Sequence, residues 1–326
     1  MTFAVIFPGQ GAAVPGAGEP WVGHAAWQVV REAEAATGRP LARLLLDADA
    51  DELATTGASQ MAVLLSSLVA WQALSEALPR DPAAFAGHSL GQVTALLAAG
   101  AVAPADGYRL AAARADASQR SADARPGRMV ALMGADPETA AALCAEGDDA
   151  WVANDNAPGQ VVAAGTPEGV DALAERARAR GVRKVVPLAV GHAFHTPLLA
   201  DAAAELAPVL AATAFRRPVA PIVTNTDAAV ADDPSAWPDL LVRHLVEPVR
   251  WRESQLALAA SGATTFLEVG PGRVLAGLAK RTVPDVEVVN VATPDDVGVA
   301  ASSLAGSERS PAGQVAGDPT TAGAGR

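Results

Sequence analysis

Residues Phe85-Ala86-Gly87-His88-Ser89-Leu90-Gly91-Gln92 contain Gly-X-Ser-X-Gly, with an apolar approach from Ala83 and a helix-forming exit from Val93 to Ala99. A serine set between glycines at that junction has the pattern of a nucleophile elbow, a strained strand-to-helix turn in which only glycine leaves room beside the serine. The turn exposes the Ser89 hydroxyl at a helix N-terminus, where unpaired N–H groups and the dipole favour negative charge. The predicted chemistry is attack on an acyl carbon. It needs a base, donors for an oxyanion, and something that selects the acyl group. The histidines are His24, His88, His192, His195 and His244. His88 adjoins the nucleophile and its ring is expected to point away from the hydroxyl. Residue type alone does not choose the base among the other four.

These groups need a scaffold, and the hydrophobic pattern supplies one. Residues 3 to 7 read as a buried first strand, followed by a Gly/Pro-rich segment, a helix over 21–37 and a very apolar helix over 60–78 with Ser59 as its cap. Gly100 closes the elbow helix, and Pro104 and Asp106 open another that carries Arg109, Arg114 and Arg120. From Pro126-Gly127 the order is strand, helix, strand, strand, helix, strand, ending near Val190. That βαββαβ order predicts a ferredoxin-like insert over 126–190. Strand–helix alternation then resumes to about residue 291, which argues a parallel sheet covered on both faces. The expected fold is α/β: a large α/β-hydrolase-like subdomain from 1–125 and 191–300, plus the small insert. From Ser302 the composition is Gly, Ala, Ser, Pro and Thr without periodicity, which predicts a disordered tail over 302–326.

Composition removes several function classes. The chain has 326 residues, half of them hydrophobic, and a net charge of −12, which argues against general nucleic-acid binding. A single cysteine, Cys144, excludes an internal disulfide framework and fits a reducing compartment. The apolar start runs straight into Pro8-Gly9 without a basic flank, so it reads as a strand and not as a signal peptide. The expectation is a cytoplasmic protein with no membrane association.

Five motifs occur in a telling order: Phe7-Pro8-Gly9-Gln10-Gly11, Gly87-His88-Ser89-Leu90-Gly91, Arg114, Ala193-Phe194-His195-Thr196 and Glu268-Val269-Gly270-Pro271-Gly272. In that order the chain resembles malonyl-CoA:acyl carrier protein transacylases and the related acyltransferase domains of polyketide synthases, over about residues 3 to 295. The resemblance implies that Ser89 carries an acyl ester and that His195 is its general base and acid. It places the carbonyl that orients His195 at His244, and an oxyanion hole at Leu90 and Gln10. It matches Arg114 to the arginine that binds the malonyl carboxylate, a task suited to a guanidinium fork. His192-Ala193-Phe194-His195 resembles the signature that goes with malonyl over methylmalonyl units, with Phe194 as a wall against the acyl α-carbon. Ala13, Ala115, Ser118 and Gln92 depart from the usual family residues but remove no catalytic group.

The implied reaction moves a malonyl group from malonyl-CoA to the phosphopantetheine thiol of an acyl carrier protein. The CoA thioester is a substrate, and neither cofactor nor metal is required. The pathway would be fatty-acid synthesis, or polyketide synthesis if the chain serves a synthase as a stand-alone acyltransferase. A serine hydrolase or thioesterase would use the same elbow, but no acid-then-histidine pair suited to a triad is read after Ser89, and the inserted βαββαβ unit also speaks against it. A non-catalytic carrier-docking protein is the third reading, against which stands the survival of Ser89, His195 and Arg114.

Overall fold

The computed structural model describes residues 2–306. Strand β1 (Phe3–Phe7) leads through 3-10 turns at Gln10–Ala12, Glu19–Trp21 and Ala25–Trp27 into helices α1 (Gln28–Thr37), α2 (Ala42–Leu46), α3 (Ala50–Leu53) and α4 (Thr56–Ala77). Strand β2 (Ala84–Gly87), α5 (Gly91–Ala98) and α6 (Pro104–Ala124) follow. The next stretch is β3 (Arg128–Met133), α7 (Pro137–Ala145), β4 (Ala150–Ala157), β5 (Gln160–Gly165), α8 (Pro167–Ala179) and β6 (Lys184–Pro187). The chain continues with α9 (Ala200–Ala212), β7 (Ile222–Val223), β8 (Val230–Ala231), α10 (Trp237–Val246) and α11 (Trp251–Ala260). It closes with β9 (Thr265–Val269), α12 (Val274–Thr282), β10 (Glu287–Val291) and α13 (Pro294–Gly306).

The strands form two sheets. One has the order β10-β9-β1-β2-β7-β8, parallel apart from the antiparallel β8. β1 lies inside it with all five residues buried, as a continuous apolar strand covered on both faces must be. Phe7 stacks on Phe85 at 6.4 Å, and Trp71 of α4 meets Phe85 edge-on at 5.3 Å. Truncating Phe85 to alanine would cost about 3–5 kcal/mol of stability. α4 is long and apolar enough to cross a membrane but is mostly buried here, so it is a core helix.

The second sheet has the order β4-β5-β3-β6 and is antiparallel throughout. One face buries Val130, Leu132, Val161 and Ala163 against α7 and α8. The other packs Met129, Ala131 and Val162 with Phe194 and Leu199. β4 contains two register shifts while staying paired with β5 as far as Ala157, and along its other edge Asp155 N–H bonds Val249 O and the Asp155 carboxylate pairs with Arg252. Bulges bend a strand, and this one brings Asn156 to the large sheet. β4 and β5 are joined by a turn at Pro158-Gly159, with Gly159 at φ +67°.

Three expectations need correction. The helix expected over 21–37 starts at Gln28, because Trp21 and Trp27 lie in 3-10 turns, the Trp21 indole donating to Ala292 O. Ser59 is no cap: α4 begins at Thr56, and Ser59 Oγ donates to Gln10 O at 2.6 Å. The tail expected to be disordered from Ser302 is helical to Gly306. The Asp296 carboxylate holds the Ala292 and Thr293 N–H groups at the start of α13, and Ala300 and Leu304 are buried one turn apart. Residues 307–326 of that expected tail lie outside the described residues.

Candidate active site

Ser89 sits between β2 and α5 at the C-terminal edge of the parallel sheet, with φ +52°. The flanking glycines are steric necessities. A Cβ at Gly87 would stand 1.9 Å from the Gly91 carbonyl carbon, and one at Gly91 would stand 2.2 Å from Phe7 O. Positive φ at a residue with a side chain costs about 1–3 kcal/mol and has to be held. Here the Ser89 N–H donates to Asn225 Oδ1 at 2.8 Å, and Asn225 Nδ2 donates to Gly87 O at 2.8 Å.

The structure selects among the four open histidines by distance. His195 Nε2 is 2.8 Å from Ser89 Oγ, and its Nδ1 is 2.8 Å from His244 O. A carbonyl only accepts, so Nδ1 carries the proton and Nε2 presents its lone pair to the hydroxyl. Burial first, then the nearby Arg114 charge, push the His195 pKa down to about 3, so the ring is neutral at neutral pH. His195 has φ +60°, a second strained residue at the same site. His192 is fully buried between Ser121 Oγ and Arg125 O, and His24 accepts from Ala26 N–H in a 3-10 turn. His88 turns away from the hydroxyl, as expected, and meets Asn156 Oδ1 at 2.8 Å.

Leu90 is buried at the start of α5 and Gln10 begins the first 3-10 turn. Neither backbone N–H has a protein acceptor among the described residues. Gln10 and Ser89 line one cavity, of about 280 Å³, together with His88, Phe194, His195 and Val274. Arg114 does not line it. It is 4% exposed on α6, has no carboxylate partner among the described residues, and donates to Gln60 Oε1 at 2.5 Å. Burial lowers its pKa to about 10, which still leaves it charged. Gln60 Nε2 donates on to Gln10 Oε1 at 3.2 Å, linking the arginine to the loop facing Ser89. Sequence reading missed Gln60 and Asn225. The usable signal for Asn225 is a polar Thr-Asn-Thr run directly after a strand, at the sheet edge where α/β sites form. No group of three or more His, Cys, Asp or Glu is placed to hold a metal among the described residues.

Residues 4–301 match the acyl transferase domain family. The chain is 38% identical over 290 residues to the malonyl CoA-acyl carrier protein transacylase of Salmonella typhimurium, covering 86% of this chain and 93% of that one. To the Bacillus subtilis protein of the same name it is 34% identical, covering 92% and 96%.

The chain belongs to the malonyl-CoA:acyl carrier protein transacylase family.

Solved structures agree with this family at the level of the α/β fold. An acyl-carrier-protein S-malonyltransferase from Burkholderia pseudomallei superposes with a TM-score of 0.88 at 38% identity, over 92% of this chain and 99% of that one. A malonyl-transacylase in complex with a type II polyketide synthase acyl-carrier protein does so with a TM-score of 0.88 at 33% identity, over 93% and 100%.

Proposed function

We propose that this protein transfers a malonyl group from malonyl-CoA to the phosphopantetheine thiol of an acyl carrier protein, through an ester on Ser89. The observation that carries the mechanism is the Ser89 Oγ–His195 Nε2 contact of 2.8 Å with Nδ1–H fixed on His244 O. His195 takes the hydroxyl proton as Oγ attacks the thioester carbon. The oxyanion accepts the free N–H groups of Leu90 and Gln10. The C–S bond breaks, and the CoA sulfur leaves with the proton from His195. In the second half the carrier thiol gives its proton to His195 and attacks the seryl ester, the acyl C–O bond breaks, and Ser89 Oγ leaves with that proton. A carbonyl behind His195, in place of a carboxylate, keeps the tautomer without adding negative charge, which suits an anionic acyl group.

Arg114 pairs with the malonyl carboxylate in this reading, Phe194 flanks the acyl chain, and the CoA thioester and carrier protein are the only partners the chemistry needs. No metal or cofactor enters the scheme, and the protein acts in the cytoplasm. The large sheet belongs to a hydrolase-like subdomain over 1–125 and 191–300. The βαββαβ order with strand order β4-β5-β3-β6 supports a ferredoxin-like insert over 126–190. Service to fatty-acid synthesis is the first assignment. The likeness to a malonyl-transacylase solved with a polyketide carrier protein supports polyketide service as the second.

Intact-mass measurement after mixing with malonyl-CoA, then with phosphopantetheinylated carrier protein, tests the reading. A malonyl adduct should form, vanish in Ser89→Ala, slow by orders of magnitude in His195→Ala, and move to the carrier. An adduct that persists in Ser89→Ala, or that is released only to water, overturns it.

A further inference from the structure

The geometry points to Asn225 as the residue that positions the nucleophile elbow, coupled through the His244 side chain to the base. It rests on the reading of Ser89 and His195 just given.

Asn225 is 1% exposed and follows β7, on the far side of β2 from β1. Every polar atom it owns is used. Oδ1 accepts the Ser89 N–H at 2.8 Å and His244 Nε2–H at 3.0 Å. Nδ2 donates to Gly87 O at 2.8 Å, and the backbone N–H donates to Gln92 Oε1 at 2.9 Å. Its carbonyl accepts the Arg250 N–H at 2.8 Å. The amide cannot be reversed. Gly87 O only accepts and the Ser89 N–H only donates, so Nδ2 must face the first and Oδ1 the second.

Those two contacts hold the peptide groups on either side of His88, the pair that leads the chain into the positive φ of Ser89. They also decide which N–H groups remain for the substrate. The Ser89 N–H is consumed by Asn225, which leaves the Leu90 N–H, one residue on, as the free donor of the elbow. The second consequence concerns the base. His244 gives its main-chain oxygen to His195 Nδ1–H and its ring Nε2–H to Asn225. Ser89 and His195 are therefore referenced to one another twice, by their own contact and by the path through Asn225 and His244. A residue present for packing alone would be apolar, because buried amide groups add desolvation cost without adding fit.

The test measures formation of the malonyl adduct by rapid quench over a range of malonyl-CoA concentrations, with folding checked by circular dichroism and thermal melting. Asn225→Ala should lower the saturating rate by about 100-fold, the usual effect of roughly 1 Å of misplacement. The half-saturating concentration should change by less than about threefold, because Arg114 and Gln60 are untouched. His244→Leu keeps the carbonyl but loses the ring donor, and should lower the saturating rate. His244→Gln, whose amide N–H reaches to about the same distance as imidazole Nε2, should recover most of that loss. If Asn225→Ala does not fold, the two His244 variants decide. A saturating rate within about threefold of the unmutated protein in Asn225→Ala overturns the proposal, as does a loss confined to half-saturation. Equal rates in His244→Leu and His244→Gln overturn it as well. Ser89→Ala, run beside them, tests the nucleophile independently: an adduct there sinks the parent reading and not the positioning argument alone.

Discussion

The Arg114 guanidinium is buried against a neutral partner, Nη1 donating to Gln60 Oε1 at 2.5 Å. No carboxylate of the described residues faces it, so a cation is kept in the interior with only an amide for company. Burial of a charge without a counter-ion is costly, and a ligand carboxylate that completes the pair recovers that cost.

Arg114→Ala should therefore lower kcat/KM for malonyl transfer by at least about 2 kcal/mol, roughly 30-fold, the effect of truncating one partner of a buried charge pair. The same variant should raise acetyl transfer relative to malonyl, since the charge that penalised an uncharged acyl chain is gone. Competition between malonyl-CoA and acetyl-CoA measures both. Equal use of the two thioesters by the unmutated protein would sink the dicarboxylate assignment.

The buried histidines make a pH prediction with a definite sign. His195 falls to about 3, and burial also lowers His88, His192 and His244 from 6.5. Each ring binds its proton less readily folded than unfolded. Between about 3 and 6.5 the unfolded chain takes up more protons, so stability is present above 6.5 and lost as pH falls. At about pH 5 the contribution from His195 alone is about 2 kcal/mol. The melting midpoint should drop on going from neutral pH to about pH 5, and His195→Gln should flatten that slope. An unchanged slope would mean that His195 titrates near its ordinary value. The acid limb of adduct formation should fall below pH 6.5 for the same reason.

The elbow was legible because it is local: Gly87, Ser89 and Gly91 sit within five residues. The base was legible only through the family resemblance, because residue type left four histidines open and His195 meets Ser89 across 106 positions. Gln60 and Asn225 were not, because their roles exist only across the fold: Gln60 meets Arg114 54 positions away, and Asn225 meets Ser89 136 positions away. Ser59 was misread for a related reason. A serine at a helix start suits a cap or a tertiary hydrogen bond equally, and only the position of Gln10 decides. The end of α13 was lost to composition. Its alanines resemble a linker, and the burial of Ala300 and Leu304 depends on the core they pack against.

Carrier docking should use one basic rim. Carrier proteins are typically acidic, and an acidic chain needs a local basic surface to meet one. Arg176, Arg178, Arg180, Arg183 and Lys184 are clustered in sequence, but Arg180 is paired with Glu146 and Arg176 donates to Leu143 O. Arg183 packs beside Gly134, which touches Gly159, and Arg281 reaches Pro158 O and Gln160 at that same turn. Lys184 and Lys280 are exposed and adjoin Arg183 and Arg281 in sequence, and the first turn of α12 lines the cavity. Lys184→Glu with Lys280→Glu should raise the apparent KM for carrier protein severalfold and leave self-acylation from malonyl-CoA intact. An unaltered carrier KM would move docking off this rim.

Phe194 governs the last prediction, the choice among acyl groups. It is 8% exposed, lines the cavity beside His195, and is buttressed edge-on by the His192 ring at 5.3 Å. His192 is pinned in turn by Ser121 and Arg125, so the wall cannot swing aside freely. A rigid apolar wall discriminates one methyl group by about 1–3 kcal/mol, or roughly 10- to 200-fold. Malonyl should thus be used first, methylmalonyl clearly more slowly, and acetyl slowest, because acetyl leaves Arg114 unpaired. Phe194→Ser opens the wall and should narrow the malonyl-to-methylmalonyl ratio by about tenfold, while turnover of malonyl persists. The acetyl ratio should stay where it was, since the carboxylate filter is at Arg114 and not at Phe194. Competition among the three thioesters, with melting curves in parallel, separates the outcomes. Loss of all three substrates together with a lowered melting midpoint would make Phe194 a packing residue of the second sheet and nothing more.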